Sequence, residues 1–376
     1  MRKFKEIERL RGVAIILAVF NHNPLHEFFP LFCGVVGVHL FFVISGFVIT
    51  RSLVRLLPQS EQSPVPALKT FFAQRFFRIV PMLTVSVTTV LLASIFYNTS
   101  HIWSAPMLVV KQIGLVFTLL FNHNMVGLGA DLLYCWSLNV EEHFYIVLPL
   151  LLVAVTAPRA RIAAAALVVV LTALVFRPFA APATHDAIRI WSFHFSTLPR
   201  IDTLMAGVLL ALVAQARLMG RPRSTIGFRV AGQTAAWAGL ATLIFVHRYF
   251  LVSQQITWTI VLVASAGLVW LASLNRGLIL GIPHVAGFFE YLGSRSYAIY
   301  LMHMPAWGLI AEFMSRHPAI RTAENLPKLA AYFVVLTLLT SELAHQLVEK
   351  PFIRIGRKFG NHTLTPRQIT PMQRAA

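Results

Sequence analysis

The sequence predicts an all-α, polytopic membrane helix bundle, and three observations carry that prediction. The 376 residues are 57% apolar and only 12% charged. Apolar runs near the length of a bilayer span recur along the whole chain. Lys and Arg gather at the ends of those runs, where they set orientation rather than recruit a polyanion, despite a net charge of +18.

Ten spans are expected, near 10 to 28, 34 to 54, 79 to 97, 137 to 156, 161 to 176, 201 to 216, 232 to 250, 256 to 274, 296 to 314 and 328 to 347. An eleventh apolar piece, 107 to 121, is shorter, carries Lys111, and is flanked on both sides by segments without Lys or Arg. Flanks of that kind belong on one side of the membrane, so this piece is expected to be re-entrant or interfacial. With a cytoplasmic start, 24 of the 32 Lys and Arg fall in inward-facing segments. That excess puts both termini in the cytoplasm.

Residues 1 to 358 are read as one membrane domain and 359 to 376 as a cytoplasmic, flexible tail without apolar periodicity. The first apolar run has a basic head, ends in Asn-His-Asn-Pro and lacks a small-residue cleavage pattern, so it is expected to be retained. Two cysteines, Cys33 and Cys135, are too few for a disulfide scaffold or a Cys-based zinc site and read as unpaired small apolar residues. Nucleic acid is not expected as a partner, since no aromatic-basic module is present. Fourteen histidines include no HExxH spacing, so no metal is expected.

Polar residues within the spans are the functional candidates, because ionisable groups in lipid face the protein interior. Arg11 and His22 stand roughly 16 Å apart along a helix, so Arg11 can lie at one surface while His22 reaches beyond the midplane. From residues alone, a structural or substrate-binding role for His22 leads over catalysis. Glu141 is four residues from both Ser137 and Tyr145, so the three share a face, with Glu142 beside them. Ser296, Tyr300 and His303 form another stripe, in which His303 is either a rival base or a hydrogen-bonded core histidine. Arg200 and Asp202 offer acceptor binding or a structural ion pair. Glu349 is expected to pair with a basic neighbour and fix the last helix.

Several dense motifs fall on these spans in a fixed order. The second span reads GVVGVHLFFVISGFVITRSL, where Gly34, Gly37 and Gly46 permit close helix approach. FFAQRFFRIVP opens the third span, WSLNVEEHFY the fourth and RIDTLMAG the sixth; SYAIYLMHMP lies in the ninth and LVEKPFIRIGRK closes the tenth. Together, over roughly residues 5 to 358, they resemble the membrane-bound acyltransferase family 3, bacterial O-acyltransferases of sugars and lipids. His39 stands where the family often has an acidic residue, and His143 where it often has Gln.

The resemblance implies transfer of an acyl group, often acetyl, from cytoplasmic acyl-CoA to a hydroxyl of a carbohydrate or related acceptor, with no bound cofactor. Arg11 and His22 match the family's Arg and His of the first span, and Glu141 its carboxylate of the fourth. His22 then becomes the expected base, imidazole being the side chain whose unperturbed pKa of about 6.5 suits that work. Glu141 would orient it, as the acid does in a triad, or tie to a buried Arg. Arg75 and Arg78, three residues apart, would grip the CoA phosphates beside Arg11, or serve only charge bias and lipid headgroups. Ser137, Glu142, Tyr145, Arg200, Asp202, Tyr300 and His303 are expected to line the passage or bind acceptor. Family members with an extracytoplasmic esterase-like domain are longer, so a stand-alone acyltransferase is expected. An envelope saccharide, a small molecule and a lipid-linked intermediate remain open as acceptors. A transporter, which also uses intramembrane His, Glu and Arg, is the rival of a different class.

Overall fold

The structure, a computed structural model, describes residues 4–20, 22, 34–57, 63–124, 129, 131–180, 192–216, 225–246, 254–322 and 324–363. Among them, eleven main helical runs build a bundle. In chain order these are α1 (Lys5–Phe20), α2 (Gly34–Leu56), α3 (Val65–Phe96), α4 (Pro106–Phe117), α5 (Trp136–Ala154), α6 (Pro158–Leu171), α7 (Ile201–Gln215), α8 (Ile226–Phe245), α9 (Gln254–Leu274), α10 (Pro283–Arg316) and α11 (Leu326–Ala344). A π turn continues α6 into Arg177–Ala180, and another continues α11 into the basic helix Lys350–Thr363.

Seven of these runs, in α2, α3, α5, α6, α7, α9 and α11, are long and apolar enough to cross a bilayer. The other three expected spans coincide with α1, α8 and α10. α10 carries Ser296, His303 and Glu312 buried inside the bundle, which lowers its hydropathy without turning polar atoms to lipid. The expected first span, 10 to 28, begins earlier, at Lys5, and its residues 23 to 28 lie outside the described residues, as does Cys33. Cys135 is a buried free thiol. The last helix runs past Phe359 to Thr363; the remainder of the expected tail lies outside the described residues. Large apolar side chains face outward, Phe96, Phe179 and Ile226 among them, as expected of helices bathed in lipid.

Glycines set the tightest helix crossings. A Cβ on Gly46 of α2 would strike the carbonyl oxygen of Leu204 in α7, and one on Gly207 of α7 would strike the carbonyl oxygen of Val43. The α1–α10 crossing relies in the same way on Gly12 against Phe289 and on Gly293 against Glu8. Without a hydrophobic force between helices in lipid, such backbone approach supplies the dispersion contact that holds them together.

Polar clips tie the two ends. At the Arg-rich end, the buried carboxylate of Glu6 accepts the backbone N–H groups of Gly277, Leu278 and Ile279, each at 2.8 Å, and Arg9 pairs with Glu290 at 2.9 Å. Glu349 pairs with His345 of its own helix, at 2.7 Å. At the opposite end, Glu312 accepts from the backbone of Thr99 and Ser100 and from Arg316.

α4 has 12 residues, roughly 18 Å of helix, too short to cross a hydrocarbon core of about 30 Å. It ends in a reversal at Leu119, whose φ is 62°, with the N–H of Leu120 bonded back to Leu115. The segments entering and leaving meet: the backbone N–H of Ser104 donates to Asp131 at 2.9 Å, and Gln112 donates to the same carboxylate at 2.6 Å. α4 therefore enters and leaves on one side of the bundle. Tags inserted near Asn98 and Asn124 are expected to read the same, extracytoplasmic side, whereas reporters near Arg221 and after residue 376 read cytoplasmic. Opposite readings for the first two would make this piece a true span.

Candidate active site

Five helices converge on a cavity of about 190 Å³ that opens near the Arg-rich end. α1 contributes Glu8 and Arg11, α2 contributes Phe41, Ser45 and Val48, and α3 contributes Arg75 and Arg78. α5 contributes Ser137, Glu141, Glu142 and Tyr145, and α10 contributes Ser296, Tyr297 and Tyr300. The i, i+4 face of α5 and the two arginines of α3, three residues apart, both turn toward this cavity.

Two hydroxyls hold the carboxylate of Glu141: Ser45 donates to Oε1 at 2.8 Å and Tyr145 to Oε2 at 2.7 Å. Arg75 lies over the rings of Phe71 and Tyr145, 5.5 and 5.6 Å from their centroids. Arg11 stands 3.4 Å from Glu8, one turn earlier. Among the described residues no hydrogen bond or ion pair engages the guanidinium of Arg75 or Arg78. The cavity therefore presents two planar donor forks to whatever enters it, an arrangement suited to phosphate or carboxylate oxygens.

His22 follows the end of α1, its backbone N–H bonded to the carbonyl of Val19. Its ring lies 5.1 Å, centroid to centroid, from that of His303 in α10. His303 also touches Tyr300 and Tyr134, at 5.6 and 6.2 Å. Neither histidine lines the cavity; Tyr300 borders both regions. The expected approach of Glu141 to His22 takes a different form here, with Glu141 held by hydroxyls in the cavity and His22 packed on an imidazole.

Arg200 and Asp202 fall elsewhere, in a second buried cluster at the opposite end. Asp202 forms an ion pair with Arg177, and Arg200 donates to Nε2 of His39 at 2.6 Å and to the carbonyl of His194 at 2.7 Å. His39 stacks on Trp258, its ring centroid 4.7 Å away and nearly parallel. The histidine that departs from the family's acidic pattern is thus a neutral acceptor for a buried arginine. His143, the other departure, bonds Thr197 through Nδ1 at 2.8 Å.

Sequence reasoning missed Ser45, Glu8 and Arg177. Ser45 sits in an apolar span where only its small polar side chain beside Gly46 marked it. Arg177 ends an apolar run and reads as a flank until α6 continues through a π turn and carries it inward. Groups of three or more His, Cys, Asp or Glu able to hold a metal are absent among the described residues.

A helical membrane bundle with a cationic, carboxylate-bearing cavity defines the class, and sequence comparison agrees with it. A family described as an acyltransferase domain matches residues 4–341, and the chain belongs to that family. It is 26% identical to a peptidoglycan O-acetyltransferase of Listeria monocytogenes over 369 residues, covering 93% of this chain and 56% of the relative. A putative O-acetyltransferase of Staphylococcus aureus is 24% identical, with 95% and 58% covered. A putative peptidoglycan O-acetyltransferase of Bacillus subtilis is likewise 24% identical, with 96% and 57% covered. The chain thus spans less than two thirds of the length of these relatives. No solved structure matches it.

Proposed function

We propose that this chain is a membrane-bound O-acyltransferase that moves an acyl group, most simply acetyl, from cytoplasmic acyl-CoA to a hydroxyl of an envelope or exported saccharide. The observation that carries this reading is the single cavity joining Arg11, Arg75 and Arg78 to Glu141, Tyr145 and Tyr300. Its arginine forks suit the diphosphate and 3′-phosphate of CoA, and its apolar walls suit the uncharged arm that bears the thioester. The relatives' names supply the acceptor class.

His22 takes the proton of the acceptor hydroxyl, whose oxygen attacks the thioester carbonyl; the carbon–sulfur bond then breaks and the thiolate leaves, recovering the proton. Glu141, tied to Ser45 and Tyr145, keeps the polar wall in place beside Arg75. Arg200 and Asp202 belong to the acceptor side in this reading. Their cluster lies at the extracytoplasmic end, so donor and acceptor approach from opposite faces, and the acyl group passes Tyr300 to reach His22.

Purified protein given labelled acetyl-CoA is expected to release CoA only when a saccharide acceptor is present. In sealed vesicles of known orientation, acetyl-CoA on the cytoplasmic face should acylate an impermeant saccharide on the other. Reaction only when both share the cytoplasmic face overturns the cross-membrane route and leaves the transferase standing. Arg75→Ala and Arg78→Ala are each expected to raise the KM for acyl-CoA about tenfold or more, since a lost bond to a charged partner costs about 1.5–3 kcal/mol. The acceptor KM should stay unchanged. If the donor KM holds while insertion collapses, these arginines serve only charge bias.

A further inference from the structure

We infer that His303 is the positioning residue of His22, occupying the place that a carboxylate fills in a Ser-His-Asp triad; the inference rests on the reading of His22 as base. The turn that carries His303 is fixed from both sides. Tyr300 donates its phenol proton to the carbonyl of Tyr134 at 2.9 Å, because a carbonyl only accepts, and so receives the hydroxyl of Ser137 at 2.7 Å. Ser86 donates to the carbonyl of Leu301 at 2.7 Å and accepts the phenol of Tyr134 at 2.6 Å. These bonds join α10 to α3 and to the turn before α5, immediately before His303.

The same logic fixes the imidazole. Nδ1 of His303 lies 2.6 Å from the carbonyl oxygen of Tyr300, so it carries the proton, and the lone pair of the neutral ring sits on Nε2. That Nε2 is buried and, among the described residues, has no hydrogen-bond partner. A buried acceptor left unsatisfied is costly, which calls for a donor beside it. His22 is the neighbouring imidazole at 5.1 Å. Two imidazoles joined by one N–H···N bond have centroids roughly 5 Å apart, from the ordinary length of such a bond.

One N–H of His22 therefore has a waiting acceptor, which turns its other nitrogen, with the lone pair, toward the reacting hydroxyl. The carboxylate of Glu141 is engaged by Ser45 and Tyr145, so the orienting work falls to His303. His303 acts through His22 and touches no reacting atom.

Four variants test this: His303→Leu, His303→Gln, His22→Ala and the double variant His22→Ala with His303→Leu, each checked for a monodisperse detergent-solubilised peak. His303→Leu is expected to lower kcat about 100-fold, within the range of orienting and base groups, with both KM values nearly unchanged. His303→Gln, whose amide oxygen can accept at the Nε2 position, should recover to within about tenfold of the wild type. In the His22→Ala background, His303→Leu should cost nothing further, as for groups that act as one unit. Near-wild-type kcat in His303→Leu overturns the inference. So does failure of a well-folded His303→Gln to recover, or a further loss in the double variant. Wild-type activity in His22→Ala removes the base reading itself, an outcome distinct from failure of the positioning role alone.

Discussion

Replacing His22 with alanine is expected to lower acyl transfer by about 10²- to 10⁴-fold, the usual cost of losing a general base, while the protein still inserts and folds. The imidazole stands at the end of α1 rather than within a helix crossing, and it packs on His303 at ring distance. Its removal therefore leaves intact the clips that hold α1, namely Glu6 on the loop before α10, Arg9 on Glu290 and the glycine contacts with α10. The measurement is turnover of labelled acetyl-CoA with a saccharide acceptor, normalised to protein that elutes as one peak in detergent. Wild-type turnover in well-folded His22→Ala removes the imidazole from the mechanism. His303→Ala is the paired control: if it alone abolishes turnover, the base lies in α10.

Gly46→Ala is expected to destabilise the bundle by about 3 kcal/mol, toward the upper end of what overpacking costs. The new methyl would meet the carbonyl oxygen of Leu204, and an obstacle made of backbone cannot rotate away as a side chain can. Gly207→Ala should behave alike, because its Cβ meets the carbonyl oxygen of Val43 and the backbone nitrogen of Phe47. Either change pushes α2 away from α7 and so displaces Ser45, one residue from Gly46, from the carboxylate of Glu141. Transfer should fall along with the thermal midpoint in detergent. Gly267→Ala is the reference: nothing lies within 4 Å of its added methyl, so its midpoint should hold or rise by up to about 1 kcal/mol of helix propensity. Equal midpoints for Gly46→Ala and Gly267→Ala would show that the α2–α7 crossing tolerates the extra atom.

Most of the spans were legible because a bilayer imposes a length and an apolar content that one stretch of sequence displays by itself. That α4 does not cross the bundle was legible from its short length and from flanks lacking Lys and Arg. α10 was read as a span from the apolar run 296 to 314, although its inward polar residues dilute the hydropathy signal over the whole helix. The cavity was legible as four separate pairs or stripes, on α1, α3, α5 and α10, whose convergence the sequence does not state. Arg200 and Asp202 looked like neighbours in one site because they stand two positions apart in the chain. In the fold each takes a partner from a different helix, His39 for Arg200 and Arg177 for Asp202.

The sequence by itself determined that the chain is a helical membrane protein, that it belongs with the acyltransferases, and which side chains are too polar to face lipid. Each of these is a local property: a run of apolar residues, an i, i+4 face, or a motif read along one segment. Tertiary structure decided which of those polar groups meet. It set Ser45 and Tyr145 on Glu141, gathered Arg11, Arg75 and Arg78 around one cavity, and brought His22 to His303 from the far end of the chain. Such pairings depend on which helices cross and at what height, and the crossings are fixed by glycine contacts and interhelical hydrogen bonds between residues up to 281 positions apart. Helical periodicity assigns a residue to a face, and only packing assigns that face a partner.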